Sequence, residues 1–130
     1  SVLGEEKEYT LEELKDRLQT VEEQIAAQEE AADSNPASRY MAAEYVWNLW
    51  DGELNLIYSH IRSHMSEEEA EDLKREEVAW LKERDLAAEQ AYVQNDTPPK
   101  QSIQYITISA QKTRERCYEL LEQYADVLER

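Results

Sequence analysis

With 130 residues and a formal charge of −16, the chain is long enough for one hydrophobic core and too acidic to favour nucleic acid or an anionic membrane surface. Good helix formers dominate, only two glycines and three prolines interrupt them, and β-branched residues never alternate far enough for a strand; the expected fold class is all-α. No window of 18 apolar residues occurs, so no membrane span is expected, and the single cysteine, Cys117, leaves no disulfide within the chain.

The chain starts SVLGEEKEY, as a mature form would after removal of an export signal. The first helix opens at Thr10, where Glu13 completes a capping-box pattern. Its apolar residues Leu11, Leu14, Leu18, Val21 and Ile25 recur at threes and fours, as in a helix lying along another helix. Two arrangements stay open for it, a coiled-coil-like arm or a member of the bundle. Asp33, Asn35 and Pro36 end this helix and start the next, with Pro36 suited to a first helical position.

The second helix is expected over 36–64, with Tyr40, Ala43, Trp47, Trp50, Leu54, Ile57 and Ile61 as its stripe. Gly52 lies inside it and marks a close helix crossing or a local bend. Ser66 and Glu69 form a second capping-box pattern and open a third helix that runs to about residue 94. The segment 95–99 carries two prolines and breaks the chain. The fourth helix, 101–128, aligns Ile103, Ile106, Ala110, Thr113, Cys117, Leu120 and Tyr124. Short connections make the second to fourth helices antiparallel neighbours, giving a bundle of about four helices.

Charge is uneven along these elements. Acidic residues outnumber basic ones ten to three over 1–32 and eleven to four over 66–96, but balance five to five over 97–130. The first and third helices therefore carry most of the excess, a field suited to solubility or to capture of a basic partner.

Little of this points to catalysis. His60 and His64 stand one turn apart, a spacing that can hold a metal, but no third or fourth ligand is near in sequence; they read as surface histidines. Glu76 and Glu77, like Glu67 to Glu69, point about 100° apart when consecutive on a helix, so they read as a solvated face rather than an acid–base dyad. Cys117 lies on an apolar line and reads as a buried, inert thiol. No cofactor, metal or catalytic residue is expected. Trp47 and Trp50, with Tyr45, form an aromatic run that suits either core packing or a partner surface.

One stretch breaks the apolar pattern. In the third helix Glu77, Trp80 and Arg84 share one line, so a carboxylate and a guanidinium occupy a stripe that should be apolar. Charges there are costly unless paired and hydrogen-bonded. Asn55, Thr113 and Arg116 are the expected partners, unless the stripe opens towards a ligand.

At these residues the chain resembles a known family. Asp51-Gly-Glu-Leu-Asn-Leu-Ile-Tyr58 is similar to the D-x-x-L-N-x-x-Y motif of the LprI-type lysozyme inhibitors, small helical domains of the bacterial envelope. The run from Leu73 to Asp85 resembles that family's L-x-x-x-Q-x-x-W-x-x-x-R-D, and Thr113 to Leu120 its T-x-x-R-x-x-E-L. The family positions are thus Asp51, Asn55, Tyr58, Glu77, Trp80, Arg84, Asp85, Thr113 and Arg116. The departures are Glu77 for the usual Gln and Ala88 for a usual cysteine, so the disulfides common in the family are not expected. The resemblance implies residues 36–130 as the family domain and 1–35 as an acidic extension. It also implies an extracytoplasmic protein, periplasmic, secreted or lipid-anchored upstream of the chain, whose partner is a protein such as a basic lysozyme. The rival expectation is a structural adaptor that associates through the seam of the first helix.

Overall fold

The computed structural model describes residues 7–92 and 102–130, so the breaker expected at 95–99 lies outside the described residues. Among the described residues five helices follow one another: α1 (Leu11–Ala31), α2 (Pro36–Ser63), α3 (Glu67–Ala91), α4 (Ile103–Gln123) and the one-turn α5 (Ala125–Leu128). There is no strand among the described residues.

Local chemistry sets the helix starts. The Thr10 hydroxyl accepts from the Glu13 amide while the Glu13 carboxylate accepts from the Thr10 amide, both at 3.1 Å. Ser66 and Glu69 repeat the exchange at 3.0 and 3.2 Å, and Asn35 caps α2 ahead of Pro36. The fourth helix stops earlier than its apolar pattern does. The chain kinks at Tyr124, and Val127 and Leu128 reach the core from α5 instead.

Cross-links fix the helix directions. Arg17 meets Glu53 and Tyr9 meets His60, so α1 and α2 are antiparallel. Glu77 meets Arg116 and Glu69 meets Arg130, so α3 and α4 are antiparallel as well. The broadest interface joins α2 to α4, with α3 laid mainly on α4 and α1 mainly on α2. Consequently α4 is buried over a wide face, including Tyr105, Ile106, Ser109, Ala110, Thr113, Arg116, Cys117, Leu120 and Leu121.

The first helix is not a free arm. Leu11, Leu14, Leu18 and Val21 are buried in the same core as Trp50, Leu54, Ile57, Ile61, Leu73, Cys117 and Leu120. The coiled-coil seam read from the sequence is thus satisfied within the chain, because α2 and α4 supply the opposing apolar surface. Gly52 also departs from expectation. A Cβ built there meets nothing within 4 Å, so it marks no close crossing, and α2 runs through it without interruption.

Candidate functional site

The three sequence motifs meet where α3 lies on α4. Only Leu73 and Ala88 of α3 are fully buried, so its contact with the bundle depends on the polar stripe between them. Arg84 projects from that stripe with its side chain 12% exposed. Its Nε and Nη2 donate to Asp85 Oδ1 at 3.2 and 3.1 Å, and its Nη1 reaches Thr113 Oγ1 at 3.5 Å. Asp51 of α2 lies 4.0 Å from Nη1. The guanidinium also stands over two indoles, 5.3 Å from the Trp80 centroid and 5.7 Å from that of Trp47. A planar, weakly hydrated guanidinium suits such a position far better than an ammonium would.

A second pair sits two turns away. Arg116 Nε donates to Glu77 Oε1 at 3.0 Å, with the two side chains 8% and 12% exposed. Glu76 and Glu119 lie farther out, at 3.7 and 3.8 Å from the Arg116 guanidinium. Burial pushes the Glu77 carboxyl above its ordinary value, and the hydrogen bond from Arg116 only partly offsets this. Thr113 turns its hydroxyl back onto the Ser109 carbonyl at 2.7 Å, which leaves its oxygen free to face Arg84.

The structure therefore brings together Asp51, Glu77, Trp80, Arg84, Asp85, Thr113 and Arg116. It leaves out two motif positions. Asn55, expected as a hydrogen-bonding partner, is exposed on α2. Tyr58 packs against the core and lies under Arg62, 5.5 Å from its ring centroid.

Two further expectations are corrected. Trp50 cannot present a partner surface, because it is 1% exposed and enclosed by Tyr118, Arg114 and the core; Trp47 is half-buried and Tyr45 is exposed. His60 is not a surface residue. It is buried, with Nδ1 3.0 Å from the Leu56 carbonyl and Nε2 3.1 Å from the Lys7 carbonyl and 3.2 Å from the Tyr9 amide, so the ring ties the chain ahead of α1 to α2. Among the described residues no group of three or more His, Cys, Asp and Glu side chains could hold a metal. Burial drives the Cys117 thiol far above its ordinary range, which leaves it a poor nucleophile.

Sequence reasoning missed the ties that hold α1. Buried Glu53 takes a two-pronged bond from Arg17 at 3.0 and 2.7 Å, and Glu22 binds Arg114 at 2.6 Å and the Tyr118 hydroxyl at 2.7 Å. Glu53 was legible in principle, because it sits beside Leu54 and three residues after Trp50 on the buried side of α2. Arg17 and Glu22 occupy exposed-looking positions, and only the third dimension pairs them.

The bracket of charges around Trp80 thus binds α3 to α4 and α2, with Arg84 answered by Asp85 and Arg116 by Glu77. It defines a helical bundle whose third helix is locked on by polar contacts. The family described as lysozyme inhibitor LprI matches residues 26–120, and the chain belongs to that family. The match opens inside α1 and so takes in the last turns of that helix. Comparisons with curated proteins and with solved structures give no match. No helix among the described residues is long and apolar enough to cross a membrane.

Proposed function

We propose that this chain is a non-catalytic, extracytoplasmic bacterial protein that binds a basic lysozyme of the animal type and blocks it. The observation that carries the reading is membership of the lysozyme inhibitor LprI family across residues 26–120. The electrostatics support it. A molecule of charge −16 raises the rate of encounter with a strongly basic protein, and more so at low ionic strength. The exposed carboxylates that create this field stand mostly on α1 and α3.

Binding and muramidase activity measured against a basic lysozyme, at low and at physiological salt, test the reading. The expected outcome is inhibition at both, with tighter binding at low salt. Absence of binding at either salt overturns it.

A further inference from the structure

At one end of the molecule α1 and α2 extend beyond their fully buried residues, with only partly buried side chains such as Ile25 and Val46 packed against the core. The last buried residue of α1 is Val21, although the helix continues to Ala31. The first buried residue of α2 is Trp50, although that helix starts at Pro36. Two helical arms therefore run past the core. Between them and α4 lies an open groove of about 560 Å³, floored by Ile25, Ala26, Ala42, Ala43, Val46 and Ala110. Alanines on facing helices leave room where larger side chains would interdigitate. The apolar surface continues round the tip to Met41, 68% exposed, and Tyr45, 43% exposed.

The surroundings of the groove are acidic. Over residues 22–45 there are six Asp and Glu against one basic residue, Arg39. Glu22 is neutralised by Arg114, but Glu29 and Asp33, which line the apolar surface, and Glu30 beside them have no ion-pair partner among the described residues. The last turn of α1 holds Glu29 and Glu30 and no basic residue. Carboxylates are disfavoured at that negative end of a helix dipole, so a cation placed there would be attracted both by the side chains and by the helix. A second copy of this chain brings the same acidic surface and is repelled by it.

We infer that this groove is the docking site for a basic, amphipathic segment of the partner protein. One apolar side chain of that segment seats among Ala26, Ala42, Ala43 and Ala110, and flanking Lys or Arg side chains meet Glu29, Glu30 and Asp33. The inference rests on the protein-binding reading above and specifies the surface that reading uses.

Calorimetry with the full chain tests it, using two probes: a basic lysozyme, and a synthetic helical peptide with Leu and Lys on opposite faces. Glu29→Lys with Glu30→Lys reverses the charge at the groove and favours the helix dipole, so it does not weaken α1. Ala42→Trp fills the groove and leaves the charge unchanged. Glu71→Lys with Glu83→Lys, at exposed sites on α3, makes the same change in net charge elsewhere. Both groove variants should weaken both probes at least about tenfold, while the α3 control stays within about threefold. Equal losses in the control, or unchanged binding in Ala42→Trp with its helicity intact, overturn the inference. Lysozyme binding that survives both groove variants removes the groove and leaves the partner. Peptide binding at the groove without lysozyme binding removes the partner and leaves the groove. If neither probe binds, both fall; a dimer dispersed by Ala42→Trp would assign the groove to a second copy and overturn the inference.

Discussion

Replacing Arg116 by Met removes the cation from the buried pair and keeps most of the side chain's volume. Glu77 would then be a carboxylate, 12% exposed, whose hydrogen-bonded partner is gone. The remaining cation nearby, Arg84, is already engaged by Asp85. Removing one member of a buried pair costs about 3–5 kcal/mol, and the low end applies here because Glu77 retains some contact with water. For a chain of this size a loss of about 3 kcal/mol lowers the melting temperature by roughly 10 °C.

The pH dependence makes the argument specific. Glu77 is already raised above the ordinary 4.5, chiefly by burial, so the native fold holds its proton more tightly than the unfolded chain does. Stability contributed by the protonated form is fully present below 4.5 and is lost as pH rises through the higher folded value. Without Arg116 the folded value climbs further, and the loss extends to higher pH. The melting difference between Arg116→Met and wild type should therefore shrink as pH falls from about 7.5 towards 5. Adding Glu77→Gln, the residue usual in the family's motif, should restore most of the lost stability at neutral pH. Thermal melts across that range, completed as a double-mutant cycle, measure both effects. A defect that does not change with pH, or a double variant no more stable than Arg116→Met, would refute the pairing.

Other perturbations test other joints. Gly52→Ala should stabilise α2 by about 0.5–1 kcal/mol, read as a higher denaturant midpoint, because the new methyl meets no neighbour. Leu14→Ala should cost about 2–5 kcal/mol in a denaturant titration, since Leu14 is fully buried; a loss well under 1 kcal/mol would detach α1 from the core. The Glu69 carboxyl is held down at about 2, first by Arg130 and then by the Ser66 amide. Its depressed value means that this contribution is present above 4.5 and is lost as pH falls through about 2; carboxyl NMR titration follows it, and Glu69→Gln should abolish that step.

How much of this was open to a reader of the sequence divides by the physics involved. Helix starts were, because a cap is a local contract between residues three apart, as Thr10 with Glu13 and Ser66 with Glu69 show. The misplaced charges at Glu77 and Arg84 were also legible as a demand for partners, because an apolar stripe makes an unpaired charge expensive. Which partners answer is decided by rotation about a helix axis, and there the sequence did not suffice: Thr113 and Arg116 face the stripe whereas Asn55, named on equal terms, faces water. The role of α1 was underdetermined for a related reason. A heptad-like seam fits a neighbour in the same chain as well as one in another, and only the buried surface of α2 and α4 selects the first. The groove between the helical arms leaves almost no sequence signal, since alanines read as ordinary helix formers. Their meaning comes from facing one another across three helices, beside carboxylates that the protein itself leaves unpaired.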